Sequence, residues 1–262
     1  MKKRIISAIV AAVIAIPLIF LGGYFFAAFA CVLAALAYKE IVDLKESHHK
    51  FPMLMTFLGF LVMIILVLSN NVDASIYKGI TYQTIALILL ALMLPTIFYG
   101  KNKYNTSDAF YLIGVVLLLG IVFNTFIVLR NRGLELFLYL LIVPMVTDIF
   151  AMLGGKYLGS NKMCPKLSPH KTWEGSICGL LGGSIIGIIF YCIFVGTFSV
   201  RIILVTFILS IIGQMGDLVM SKIKRENEIK DFSNIMPGHG GILDRLDSVI
   251  FVFLTYMFLL II

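Results

Sequence analysis

The chain has 262 residues, 60% of them hydrophobic and only 13% charged, with a mean hydropathy of +1.03 and a formal net charge of +7. Soluble domains carry about 25% charged residues, so this composition excludes an ordinary soluble protein and demands a lipid environment. No nucleic-acid partner is expected.

A helix needs about 20 apolar residues to cross a bilayer. Apolar windows of that order occur at 5–21, 23–38, 51–69, 82–99, 109–129, 134–154, 174–198, 202–220 and 248–262. The expected fold class is all-α: a polytopic transmembrane helical protein of about nine spans with its N-terminus cytoplasmic. Lys2-Lys3-Arg4 before an apolar run, with Ala28-Phe29-Ala30 downstream, resembles a secretory signal. The run exceeds a signal core and everything beyond it is also membranous, so a retained spanning helix is expected. Only Gly22 and Gly23 separate the first two spans, and Pro17, Pro95 and Pro144 fall inside apolar runs where they should kink helices. The last window is short, so its helix should begin near Ile242. No repeat or long linker divides the chain. We expect one integral membrane domain, 1–262, with N-terminal spans over 1–133 and catalytic spans and loops over 134–262.

With the N-terminus inside, Lys78, Arg130, Arg132 and Arg201 fall outside, and the other seventeen of the 21 lysines and arginines fall inside. That asymmetry fits the positive-inside rule with the basic face cytoplasmic; a multi-pass protein of a bacterial-type inner or plasma membrane is expected. Cys31, Cys164, Cys178 and Cys192 have no metal-binding spacing, and His48-His49 reads as a solvated pair.

Carboxylates within membrane segments are expensive and mark functional sites. Asp148, Glu174 and Asp217 stand at span ends, all on the cytoplasmic side in this orientation, beside two polar clusters. In the first, Ser168-Pro169-His170-Lys171-Thr172-Trp173-Glu174-Gly175, Ser168 and Thr172 offer hydroxyl donors and Lys171 a compact positive charge. The second runs from Ser221 to Asp247. From Asp217 to Asp247 the chain holds Lys222, Lys224, Arg225, Lys230 and Arg245 against Asp217, Glu226, Glu228, Asp231, Asp244 and Asp247. Asp217 and Ser221 share a helix face, as do Asp244 and Asp247. Gly238, Gly240 and Gly241 around His239 free the backbone for a sharp turn, and such a turn opening a helix offers bare N–H groups to an anion. Carboxylates beside a phosphate require a cation between them, which suits magnesium.

The pattern Ser221-x2-Lys224-Arg225-x4-Lys230-Asp231, continuing into Pro237-x-His239-Gly240-Gly241-x2-Asp244-Arg245-x-Asp247, resembles the C-terminal signature of phosphatidate cytidylyltransferases (CDP-diacylglycerol synthases). The SPHKTWEG segment resembles a second block of that family. A DxxAY-like block reads Asp148-Ile149-Phe150-Ala151-Met152 here, without its tyrosine, and Met236 replaces an expected Leu, Ile or Phe. The resemblance implies transfer of a cytidylyl group from CTP to phosphatidic acid at the bilayer surface, giving CDP-diacylglycerol and pyrophosphate. It implies Mg2+ held by Asp217 and Asp244, with Asp148, Asp231 and Asp247 as further candidates, and room for a second, monovalent cation such as K+. Lys224, Arg225, Lys230 and Arg245 would hold the triphosphate or the lipid phosphate, His239 the leaving pyrophosphate. Ser168, Lys171, Thr172, Ser221, Gly240 and Gly241 complete the substrate-binding set. A homodimer is compatible with the family.

Three other readings compete. A CTP-dependent polyisoprenoid kinase would need a base for its lipid hydroxyl. A CDP-alcohol phosphotransferase would need a DG-x2-AR pattern that the sequence lacks. An anion transporter would need polar groups at mid-membrane, where this chain is apolar.

Overall fold

The computed structural model describes residues 2–46, 49–69, 81–100, 103–236, 238 and 240–261. Among them are nine α-helices: α1 (Lys2–Leu21), α2 (Gly23–Glu46), α3 (Met53–Leu68), α4 (Tyr82–Met93), α5 (Thr106–Arg132), α6 (Leu134–Tyr157), α7 (Trp173–Phe190), α8 (Val200–Glu226) and α9 (Leu243–Ile261). One antiparallel hairpin, β1 (Lys162–Cys164) with β2 (Ser168–Thr172), interrupts the helices between α6 and α7. The chain is an integral membrane protein. Helices α2, α5, α6 and α8, and α7 with its π-helical extension to Val195, are long and apolar enough to cross a bilayer, whereas α3, Ser7–Leu21 of α1, and α4 with its terminal 3-10 turn are shorter apolar helices. Pro17 and Pro144 lie within α1 and α6, but Pro95 sits in the 3-10 turn that ends α4 and so terminates that helix.

The chain divides into two compact units, Met1–Arg132 with Phe232–Leu243, and Gly133–Asp231 with Asp244–Ile262. In the first, α5 is the buried centre and α2, α3 and α4 pack on it. Helix-end carbonyls in this apolar setting need internal donors, and buried side chains supply them. Asn124 Nδ2 donates to the carbonyls of Leu66, Val67 and Ser69 at 3.2, 3.0 and 2.7 Å, and Tyr104 Oη donates to Leu92 O at 2.9 Å. Arg130 donates through Nε to Ile19 O and through Nη2 to Phe20 O, so it closes the end of α1. Gly22 turns the chain there with φ +67, and a Cβ on it would come within 2.8 Å of Arg130 Nη2. His49 is no solvated pair with its neighbour: its Nε2 lies 3.3 Å from the buried Asp108 carboxylate, and His48 lies outside the described residues.

In the second unit, Gly175, Gly179, Gly183 and Gly187 recur every four residues on α7 and let α6 approach closely. A Cβ at Gly179 would lie 2.7 Å from Thr147 O. Hydroxyl pairs join the neighbouring helices: Tyr139 Oη to Thr206 Oγ1 at 2.7 Å, and Thr147 Oγ1 to Ser210 Oγ at 2.9 Å. Such pairs tie helices together where water is absent. Phe137 of α6 stacks edge-on against Phe253 of α9, ring centroids 5.5 Å apart.

Candidate active site

The polar ends of α6, α8 and α9 and the hairpin before α7 enclose a cavity of about 650 Å³ in the second unit. Each element delivers its side chains for a local reason. Thr172 ends β2 and caps α7: its Oγ1 accepts the Gly175 amide at 3.1 Å, which leaves the hydroxyl proton for the cavity it lines. Pairing of Lys162 with Thr172 across the hairpin brings a second lysine beside Lys171. Glu174 secures the hairpin's base, accepting Asn161 N at 3.1 Å and Asn161 Nδ2 at 2.8 Å. Helix α8 continues unbroken past residue 220, so Asp217 and Ser221 do share one face, and Ser221 Oγ donates to Asp217 Oδ1 at 3.3 Å.

Four carboxylates, Asp148, Asp217, Asp244 and Asp247, and four cations, Lys156, Lys162, Lys171 and Arg245, line the cavity, with His170 beside them. Lys171 Nζ lies 2.6 Å from Asp217 Oδ2, and Lys224 Nζ, at the end of α8, lies 2.7 Å from Asp244 Oδ1. Asp148 and Asp247 meet at one hydroxyl: Ser248 Oγ is 3.0 Å from Asp148 Oδ2 and 3.2 Å from Asp247 Oδ1, while Ser248 N donates to Asp247 Oδ1 at 2.8 Å. One hydroxyl proton serves only one of these oxygens at a time, and the charge of Asp217 acts on both carboxylates. Crowded carboxylates of this kind are relieved by a divalent cation. Among the described residues no three acidic, imidazole or thiol groups form a closed metal cage. Magnesium needs none, since it takes one or two carboxylates and fills its remaining positions with water and substrate phosphate oxygens. The residues therefore fit magnesium bound together with its substrate.

Of the residues singled out from sequence, Asp148, Lys171, Thr172, Asp217, Asp244, Arg245 and Asp247 line this cavity, with Ser221 and Lys224 directly behind them. Ser168 begins β2 and is not among the lining residues. Arg225 is exposed and donates to Ile229 O at 2.9 Å, and Lys230 and Asp231 are exposed in the turn after α8. Gly240 closes a loop with Met236 through two backbone hydrogen bonds of 3.0 and 3.1 Å, and this loop, with Gly241, belongs to the first unit. The anion at the glycine-rich turn is a side chain: Glu40 of α2 accepts the Ile242 and Leu243 amides. Pro237 and His239 lie outside the described residues. Sequence reading passed over Ser248, Glu40, and the pair of Ser176 Oγ and Gln214 Oε1, which are 2.7 Å apart at the cavity wall.

A profile of the cytidylyltransferase family matches residues 2–262. The chain belongs to the cytidylyltransferase family. It is similar to a phosphatidate cytidylyltransferase of Staphylococcus haemolyticus (strain JCSC1435), 36% identical over 255 residues that cover 96% of each chain. The phosphatidate cytidylyltransferase of Staphylococcus aureus (strain COL) is 36% identical over 253 residues, again 96% of each chain. That of Bacillus subtilis (strain 168) is 33% identical over 264 residues, 99% of this chain and 97% of the relative. Family membership thus extends over both units, including the N-terminal half, where the sequence carried little beyond a membrane pattern.

Proposed function

We propose that this member of the cytidylyltransferase family transfers CMP from CTP to phosphatidic acid, releasing pyrophosphate and leaving CDP-diacylglycerol in the membrane for phospholipid synthesis. One observation carries the reading: carboxylates and cations from α6, α8, α9 and the hairpin line a single cavity. A phosphatidate oxygen attacks the α-phosphorus of CTP, a new P–O bond forms, and the bond to the β-phosphate bridging oxygen breaks. The second pKa of a phosphate monoester is about 6, so the nucleophile is largely dianionic near neutral pH and no side chain has to remove a proton. The residues' task is positioning and charge neutralisation.

The lining residues alone balance four negative charges with four positive ones, whereas both substrates are polyanions. Magnesium would supply the missing positive charge: Asp217 and Asp244 are the residues that would hold it, with Asp148 and Asp247 beside them for a further cation such as K+, while the exposed Asp231 lies outside the lining. Lys171 and Lys224, 2.6 and 2.7 Å from Asp217 and Asp244, hold the two principal carboxylates in place. Lys156, Lys162, Lys171 and Arg245 grip phosphate oxygens, and Thr172 donates its hydroxyl proton. Ser221, hydrogen-bonded to Asp217, supports that carboxylate, and the exposed Arg225 and Lys230 after α8 are left to meet the triphosphate from outside the cavity lining. The positive-inside asymmetry supports a cytoplasmic active site, where soluble CTP meets a lipid whose acyl chains stay in the bilayer. Family resemblance supports a homodimer.

The test supplies purified protein, phosphatidate micelles and magnesium with CTP labelled at either the α- or the γ-phosphorus. The reading expects α-label in lipid and γ-label in pyrophosphate, in equal amounts. Lipid labelled from the γ-position, with release of CDP, would instead make the protein a lipid kinase.

A further inference from the structure

Glu40 lies just beyond the apolar stretch of α2, yet it is only 2% exposed. Its Oε1 accepts Ser233 Oγ at 2.6 Å and Ile242 N at 2.8 Å, and its Oε2 accepts Leu243 N at 2.9 Å. The donors come from both ends of one loop, Phe232–Leu243, which packs in the same unit as α2. Gly241 closes directly over the carboxylate: a Cβ there would fall 2.6 Å from Glu40 Cδ. Leu243 is the first residue of α9, so Glu40 places a negative charge at the positive end of that helix. A carboxylate removed from water is tolerable only while its donors stay in place. The three bonds and the buried charge therefore hold the loop and the helix start together.

We propose that Glu40 is a positioning residue for cytidylyl transfer. It touches no substrate. It fixes the ends of loop 232–243 and the first amide of α9, one residue before Asp244 in the chain. The role rests on the function proposed above. Charge and shape both matter here. A glutamine would keep one acceptor for Ser233 and Ile242 but turn an NH2 group toward the Leu243 N–H, donor against donor.

The test compares the full-length wild type with Glu40→Gln, Glu40→Ala and, as control, Asp43→Asn at an exposed position of the same helix. Hydrogen–deuterium exchange follows peptides covering 232–247 and α5, and steady-state kinetics with CTP and phosphatidate separates kcat from KM. In both Glu40 variants exchange over 232–247 should rise at least ~10-fold with α5 unchanged. Their kcat should fall about 10- to 100-fold, as expected for a small misplacement of reacting groups, with KM changed less than ~3-fold. Asp43→Asn should match wild type in both. Should the Glu40 variants fail to fold, Ser233→Ala removes one donor and must show the same two changes at smaller size. Unchanged exchange, faster exchange with wild-type kcat, or reduced kcat with unchanged exchange each overturns the role. Turnover by wild type with an indifferent Glu40→Gln defeats this inference alone, whereas a wild type inert toward CTP and phosphatidate defeats the proposed reaction and this role with it.

Discussion

Lys224–Asp244 and Lys171–Asp217 are ion pairs of nearly equal length, 2.7 and 2.6 Å, in very different surroundings. The side chains of the first pair are 11% and 3% exposed, those of the second 28% and 25%. Removing one member of a buried pair strands an uncompensated charge and costs about 3–5 kcal/mol, whereas a pair that keeps its water contributes at most about 1 kcal/mol. Lys224→Met should therefore lower the unfolding midpoint in detergent far more than Lys171→Met, and equal shifts would mean that Asp244 is better solvated than its burial implies. Activity should not follow that ranking. Asp217→Asn and Asp244→Asn should each reduce turnover by about 10²–10³-fold or more while the protein still inserts in the membrane. Full activity in either variant would remove that carboxylate from the metal-binding role. Lys50→Ala, outside both the cavity and the Glu40 network, should turn over like wild type.

The close approach of α6 and α7 is what lets Asp148 and the Lys171–Thr172 hairpin end face one cavity. Four glycines at every fourth position of α7 permit it. Gly179→Ala would drive a methyl to 2.7 Å from Thr147 O, a backbone atom that cannot rotate away, so it should destabilise by about 1–3 kcal/mol. Gly114→Ala in α5, where nothing lies within 4 Å, should be neutral or stabilising by up to about 1 kcal/mol. Thermal unfolding of the two variants in one detergent checks both, and equal midpoints would refute tight α6–α7 packing. The helices themselves were legible because an apolar run long enough for a bilayer needs no tertiary partner to announce itself. Helix α9 opens at Leu243, one residue from the start expected near Ile242, whereas the end of α8 was less legible: it runs on through the charged Ser221–Glu226, where good helix formers outweigh the loss of apolarity. The hairpin escaped notice because Pro165 and Pro169 read as loop, and strand pairing is a fact of space. The same holds at the site. Asp148 and Asp217 were visible as costly span-end charges and Asp244 and Asp247 through the C-terminal pattern, but Ser248 passed as the first residue of a span, although it joins Asp148 and Asp247. Glu40 drew no reading at all. Its signal was spacing, since Ala37, Glu40, Ile41 and Leu44 form one buried helical stripe in which a carboxylate has no place without donors.

For the molecule as a whole, the proposed reaction imposes a geography: CTP is soluble, phosphatidate is embedded, and the cavity must open on the side that holds the nucleotide. In the proposed orientation of about nine alternating spans, seventeen of the 21 lysines and arginines fall on one side (21 minus Lys78, Arg130, Arg132 and Arg201), which the positive-inside rule would make the cytoplasmic one. Helix α7 and its extension connect the hairpin to the loop 196–199, and its 23-residue apolar segment is long enough to put those two ends on opposite faces. Lys166 and Thr197 are both exposed, so a single cysteine at either position reports its side without disturbing the cavity. In a background with the four native cysteines replaced by serine, a membrane-impermeant maleimide added to intact spheroplasts should label Thr197→Cys and spare Lys166→Cys. Inside-out vesicles should give the reverse, and CTP with magnesium should slow labelling of a cysteine at Lys162 in the cavity wall but leave Lys166→Cys unaffected. Labelling of Lys166→Cys from the spheroplast exterior would turn the cavity away from the cytoplasmic nucleotide and rule out the orientation on which the proposed meeting of substrates depends.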